Sequence, residues 1–341
     1  MIFSFEFEFS GKEGDDVLHH TICTMLHSHR EGIIYFFLRK PQIEWIISNV
    51  LLSNINRAMI DSMYLSSSES FSLFNEARYR ASIYEDARMY IDENGIFQIG
   101  MKNDKFQSII SKPILVVENA LTDGEVLEII FRDSSIPSGK VNYCFQKLGG
   151  GGSQVDEVAA QQEKSGGIVL KIKDTDEKYP KKETINRYIV GNIYGFNLPC
   201  HEIENTMSEE VIEKIVYDDK IETQIKTIDM LKDIKMKEKK SEKPYFLYFD
   251  LKNGIKKSDL NSMVDKRQSS WILGKLSLHT DVSMDFEYVG FGEKICKRLI
   301  ENHEAIKLYS RNMREPVWEA FLKDFFSDIS WIVLSSRKKR T

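Results

Sequence analysis

The sequence predicts an α/β protein whose central part is a parallel sheet with helices on both faces. Two observations carry that expectation. From Pro113 onward, short runs rich in Val and Ile alternate with helical patterns, the rhythm of βαβ units. Two of these runs, residues 114–117 and 168–172, lead straight into carboxylates: Glu118 and Asp123 after the first, Asp174 and Asp176 after the second. Ligands of parallel sheets sit beyond the carboxyl ends of the strands. Acids delivered there by two strands build one cluster of negative charge, which a divalent cation neutralises. A magnesium site is expected at this edge.

Taken in order, the chain begins with Phe3, Phe5, Phe7 and Phe9 alternating with Ser4, Glu6 and Glu8, the period of a half-buried strand. Asp15 and Asp16 cap a helix reaching about His29. Residues 32–38 read as a strand, 43–64 as a helix, and the serine cluster 66–70 as a loop. A helix over 76–92 leads to the Asn94-Gly95 turn and a short pair of strands near 96–102. This first unit, residues 1–110, is expected to be a small α+β domain, and its sequence states no role.

In the second unit, 111–234, strands are expected at 114–117, 141–145, 168–172 and 193–196. Helices are expected at 124–132 and at 153–164, the latter with Ser153 at its N-cap. The four glycines at 149–152 suit either a phosphate cradle made of backbone amides or a flexible strand-to-helix turn. Helices at 208–217 and 221–236 follow. The remainder, 235–341, opens with a charge-rich linker to Lys243 and a strand over 245–251. It continues with helices at 291–310 and 317–326 and ends in Arg337-Lys338-Lys339-Arg340. A mainly helical C-terminal region results.

Composition narrows the function classes. Hydrophobic residues at 42% suffice for a sizeable core, and the 341 residues suggest two or three units. The net charge of -5 argues against a generally basic nucleic-acid coat and leaves only a local basic strip. Four cysteines, Cys23, Cys144, Cys200 and Cys296, are far apart and read as reduced thiols. No secretion signal and no membrane-length apolar run is present, so a soluble, cytoplasmic protein is expected.

The carboxylates carry the chemistry. Hard cations want oxygen ligands, and Mg²⁺ is usually completed by water and substrate phosphate. In an extended segment, Asp174 and Asp176 point to one side. Paired metals can activate water and stabilise the leaving oxygen of a phosphodiester. Ile114-Leu-Val-Val-Glu118, then Asp123-Gly124, then Ile168-Val-Leu-Lys-Ile-Lys-Asp174-Thr-Asp176 resemble the Toprim domain. That fold is shared by topoisomerases, bacterial primases and nucleases of the overcoming-lysogenisation-defect class. His201-Glu202-Ile203-Glu204-Asn205 looks like the Glu-Ile-Glu-Asn segment of Toprim nucleases in phage-defence systems. The resemblance covers about residues 111–217, little more than a third of the chain.

It implies a Toprim-like sheet and Mg²⁺- or Mn²⁺-dependent cleavage of DNA or RNA, as the effector of a prokaryotic antiviral system. It implies Glu118 as the general acid/base or metal-site glutamate and Asp174 and Asp176 as metal ligands. Glu204, or Glu202, completes the second metal position, and Asp123 stands where the family often carries a further acid. The chain departs from the pattern at Asn119, where glycine is usual, at the longer spacing to Asp123, and at Lys173. A scaffold with a decayed site, binding nucleic acid or a partner, is therefore the alternative. No Walker loop is present, so a separate regulatory partner such as an ATPase sensor is expected, docked on the N-terminal unit or the C-terminal helices.

Other residues have plainer readings. His19, His20, His27 and His29 lack cysteines or well-placed acids and read as helix-surface and core histidines. Tyr245, Phe246, Tyr248 and Phe249 interleave with the lysines of 235–257 and suit either base stacking or a buried strand. Trp271, Trp318 and Trp331 read as core anchors of the C-terminal region.

Overall fold

The structure, a computed structural model, describes residues 1–133, 141–181, 187–217 and 221–338. Within these, two five-stranded sheets share one large apolar core with the C-terminal helices.

The first sheet is made by β1 (Ile2–Phe5), α1 (Asp16–Arg30), β2 (Tyr35–Phe37), α2 (Lys40–Asn49), α3 (Asn54–Leu65), α4 (Ser67–Glu76), β3 (Arg80–Tyr84), β4 (Met89–Ile91), β5 (Phe97–Gly100) and α5 (Phe106–Ile109). Its strand order is β2-β1-β3-β5-β4, with only β4 antiparallel. The expected α+β unit is thus a parallel α/β layer. Helical crossovers between β1 and β2 and between β2 and β3 bring the chain back in the same direction. Asp15 caps α1 by accepting from the Leu18 amide at 3.0 Å.

The expected helix over 43–64 is two helices, because Ser53 starts a new one by accepting from the Asn56 amide. The serine cluster is helical. Phe74 of α4 stacks on Phe37 at 4.5 Å, and that packing overrides the local preference of serine for turns. Residues 80–91, expected to be helical, supply β3 and β4, since Ala81 and Ile83 are buried in the middle of the sheet.

The second sheet contains β6 (Ile114–Val117), α6 (Asp123–Asp133), β7 (Val141–Tyr143), β8 (Gln146–Gly149), α7 (Val155–Lys164), β9 (Val169–Lys173), β10 (Arg187–Val190) and β11 (Ile193–Asn197). The order is β10-β11-β9-β6-β8, parallel except for β10. Side-chain alternation assigns the faces. Val116, Val169 and Ile193 pack on Val155 and Ala159 of α7, while Leu115, Val117, Leu170 and Ile172 join the large core. Each such fully buried aliphatic side chain contributes about 1.5–3 kcal/mol. Ser153 is not the cap of α7; it lies in the 3-10 turn Gly152–Gln154 ahead of it.

Beyond come α8 (Glu209–Tyr217), α9 (Glu222–Lys237), β12 (Gly254–Lys256), α10 (Lys257–Ser262), α11 (Lys266–Leu276), β13 (Glu287–Val289), α12 (Ile295–Glu301), α13 (His303–Asn312), α14 (Pro316–Trp318), α15 (Asp324–Val333) and β14 (Leu334–Ser336). The expected strand 141–145 splits. β7 pairs with β14 outside the sheet, and β8 takes the place beside β6. The expected helix 291–310 breaks at Asn302, which caps the Ala305 amide.

Where a strand over 245–251 is expected, Tyr245–Tyr248 form a buried 3-10 turn. Tyr245, Phe246, Tyr248 and Phe249 all lie in the core, so none offers a ring to a base. At the basic end, Lys338 pairs with Glu31 at 3.0 Å, while Lys339 and Arg340 lie outside the described residues. No helix among the described residues is long and apolar enough to cross a membrane.

Candidate metal centre

The site forms at the carboxyl edge of the second sheet. β9 delivers Asp174, whose Oδ1 accepts from the Ile203 amide at 3.1 Å. The next two amides, Thr175 and Asp176, both donate to the His201 carbonyl, at 3.2 and 3.1 Å. Serving one acceptor with consecutive amides bends the chain, and Asp176 adopts a left-handed φ of 53°. The extended geometry expected of Asp174-Thr175-Asp176 is therefore absent. Asp174 is partly buried and turned to the cluster, whereas Asp176 is exposed with no side-chain hydrogen bond or ion pair among the described residues.

β11 runs into the segment that supplies the other acids. Glu202 and Glu204 are buried at the start of the 3-10 turn Ile203–Thr206. Asn205 holds that turn: its Oδ1 accepts from the Glu202 amide at 3.1 Å, and its Nδ2 donates to the carbonyls of Phe246 and Phe249. Trp318 Nε1 donates to the Thr206 carbonyl, and the Thr206 hydroxyl meets Tyr309 at 2.6 Å. The C-terminal helices thus fix the position of two glutamates at the sheet edge.

Asp123 enters from the first turn of α6, accepting from the Asn119 amide and the Thr122 hydroxyl, each at 2.9 Å. Asn119, a departure from the family pattern, builds this turn: its Oδ1 accepts from the Leu121 amide. Lys173 points away from the site, to Asp156 of α7 at 2.8 Å.

Electrostatics shows which acids share a site. Burial raises the Asp174 carboxyl well above its ordinary value, and the charges of Glu204 and Asp123 raise it further. Burial, then the charge of Glu204, pushes Glu202 up to about 7. Glu204 and Asp123 are raised by the same desolvation. Four of the expected residues, Asp123, Asp174, Glu202 and Glu204, therefore form one charge cluster.

Glu118 lies at the tip of β6, the strand beside β9. Its side chain is half-buried and makes no hydrogen bond or ion pair among the described residues. The glycine segment folds back over this tip, with the Gly150 amide on the Val117 carbonyl and the Gly151 amide on that of Glu118. Those two amides are spent on the turn, so the segment acts as a turn more than as an anion cradle. A Cβ at Gly150 would meet the Val155 Cα at 2.4 Å, which requires glycine there.

Three residues went unassigned in the sequence analysis. Lys252 lies 3.4 Å from Glu202 Oε1 and 3.3 Å from Glu204 Oε1. Burial works against its charge, but the attraction of Glu204, Glu202 and Asp174 outweighs it and raises the ammonium pKa. His201 and Asp250 adjoin Glu202, the ring Nε2 standing 3.9 Å from Glu202 Oε1 and 4.0 Å from Asp250 Oδ2. No spacing signal links Lys252 or Asp250 to the acids, because buried 3-10 turns rather than a repeat bring residues some fifty positions apart together.

The donor set fits a hard divalent cation. All four clustered acids offer oxygen. The Oε2 atoms of both Glu202 and Glu204 are buried without a hydrogen-bond partner among the described residues. Lys252 is shared between two carboxylates and leaves negative charge in excess. The chain matches no family model, no curated protein and no solved structure.

Proposed function

We propose that the chain is a divalent-cation-dependent nuclease of the Toprim type, the effector of a prokaryotic antiviral system. The observation that carries the reading is the gathering of Asp123, Asp174 and Glu204 at the carboxyl edge of a parallel sheet, with the buried Glu204 Oε2 lacking a partner among the described residues. Mg²⁺ or Mn²⁺ held by these acids would supply positive charge to a phosphodiester and to the water that attacks it. Glu118, at the tip of the neighbouring strand with no side-chain partner among the described residues, would accept the proton from that water. Asp174 and Glu204 are oriented by the Ile203 amide and by the turn that Asn205 pins. Glu202 shares the cluster's charge, while Asp176, exposed at the bend after Asp174, would complete the family set.

A cleaver of nucleic acid must be restrained in its host, and a regulatory partner such as an ATPase sensor fits a chain that carries no Walker loop. A second reading rests on Lys252. An ammonium that already satisfies Glu202 and Glu204 can stand in for the cation, leaving a scaffold that binds nucleic acid without cutting it.

The test is cleavage of plasmid DNA, linear DNA, single strands and transfer RNA with Mg²⁺ or Mn²⁺. Wild type is compared with Asp174→Ala and Glu118→Ala. Cleavage lost in both variants establishes the nuclease and names its substrate. Absence of cleavage, combined with no Mg²⁺ or Mn²⁺ binding by calorimetry and intact nucleic-acid affinity, establishes the scaffold.

A further inference from the structure

We propose that His201, Glu202 and Asp250 form a second metal site, which takes a borderline transition ion of the Zn²⁺ class and clamps the sheet edge to the C-terminal region. The proposal does not require cleavage, although Glu202 belongs to both sites.

Three observations carry it. First, the His201 ring is 2% exposed, yet neither Nδ1 nor Nε2 has a hydrogen-bond partner among the described residues. A buried polar group without a partner is costly, and native structures satisfy nearly all of them. Glu202 Oε2 is orphaned in the same place.

Second, the spacing suits a shared ion and not direct bonds. The Nε2 atom is 3.9 and 4.0 Å from the two carboxylate oxygens, too far for hydrogen bonds. One ligand atom from each of the three residues lies within 4.8 Å of the others. Donors about 2.1 Å from one ion at tetrahedral angles stand about 3.4 Å apart, so closure draws the 3.9 and 4.0 Å separations in by about half an ångström.

Third, the ligands are oriented and reachable. Asp250 is held by the Asn253 amide at 2.8 Å and by Lys178 at 2.8 Å, the kind of outer support that ligating carboxylates have. It also lines a cavity of about 400 Å³, with Lys178 and Asn253, from which an ion can reach Asp250.

The imidazole sets the ion class. Mg²⁺ prefers oxygen alone, whereas an imidazole beside two carboxylates suits Zn²⁺ and its neighbours. The position sets the role. The His201 carbonyl accepts from the Thr175 and Asp176 amides and its own amide donates to the Leu247 carbonyl at 2.8 Å. Asp250 follows the buried 3-10 turn, and Glu202 opens the turn that carries Glu204. One ion would tie these three segments together.

The test uses the full chain, stripped with a chelator and titrated with Zn²⁺ and with Co²⁺ in excess Mg²⁺, which occupies the all-oxygen cluster. One equivalent of Zn²⁺ per chain, a raised melting temperature and a visible Co²⁺ absorption band are expected. His201→Gln and Asp250→Asn should each weaken binding about 100-fold or more, while Glu6→Gln, on the first sheet, leaves it unchanged. The proposal is overturned if wild type takes up no Zn²⁺ under these conditions, or if the equivalent persists in a folded His201→Gln or Asp250→Asn variant. Two variants on different segments keep the test valid if one fails to fold, as judged by circular dichroism. Normal Zn²⁺ uptake without cleavage would sink the nuclease reading alone, and cleavage without uptake would sink this one alone.

Discussion

The two sheets place a glutamate at the same point and treat it differently. Glu6 follows β1, which lies between β2 and β3, just as Glu118 follows β6, which lies between β9 and β8. Around Glu6 every oxygen is answered: Ser4 and Ser82 donate to Oε1, and Arg39 lies 3.0 Å from Oε2. Nearby Glu85 pairs with Lys12. Glu118 has no such partner among the described residues, and the acids beside it crowd around Lys252. Shared topology therefore does not mark a functional edge; an unbalanced charge at that edge does. The first sheet's edge reads as structure, and the second's as a place held open for a cation.

The sharpest way to break this contrast is catalytic. Asp174→Asn and Glu118→Gln should each lower cleavage by about 100-fold or more, the range for losing a proton-transfer or cation-holding group. Glu6→Gln should leave the rate unchanged. Equal losses at Glu6 and Glu118, in variants with wild-type melting temperatures, would mean that the two edges are not different in kind.

Next in size is the removal of each edge's cation. Lys252→Met strips the ammonium from two buried carboxylates, and breaking a buried pair in this way costs about 3–5 kcal/mol. Arg39→Met removes a partly exposed guanidinium, worth about 1 kcal/mol or less. Urea unfolding in chelator should rank them so, and millimolar Mg²⁺ should restore part of the stability of Lys252→Met while leaving Arg39→Met as it was. An identical cost for both, or no response of Lys252→Met to Mg²⁺, would dissolve the contrast.

The sequence made the strand-end acids legible because β6, β9 and β11 are short apolar runs buried on both faces, and such runs end where polarity begins. Glu118, Asp123, Asp174 and Asp176 are readable as strand-end acids in this way, whereas Glu202 and Glu204 are suggested only by the family resemblance of their segment. The first sheet was less legible: Ala81 and Ile83 are strand positions inside a stretch whose charges mimic a helix face. The serines of α4 suggest a loop until Phe74 finds Phe37. Asp176 was misplaced because a carbonyl, that of His201, bends its backbone, and carbonyls leave no mark in sequence. Lys252 and Asp250 reach the site through a buried turn whose aromatic residues read equally as a strand.

A smaller effect separates the edges by sign. Glu202 keeps its proton to about 7 in the folded chain but to only 4.5 as an ordinary carboxyl. The folded state therefore binds more protons across that window, so stability from Glu202 is fullest below 4.5 and is lost as pH rises towards 7. Asp86, which follows β3 in the first sheet, is lowered instead by hydrogen bonds from Arg88, so its contribution is present above 3.8 and is lost as pH falls. His201, lowered by burial from 6.5, opposes Glu202 in part of the window, so the wild-type curve alone is ambiguous. The difference between Glu202→Gln and wild type isolates the glutamate. In chelator the variant should gain on wild type from pH 4.5 to 7 by on the order of 2 kcal/mol, whereas Asp86→Asn should track wild type over the same range. Mg²⁺, which favours the ionised cluster, should shrink the Glu202→Gln gain at pH 7. A gain that is flat with pH would show that Glu202 titrates like a surface acid, and that the second edge is as well neutralised as the first.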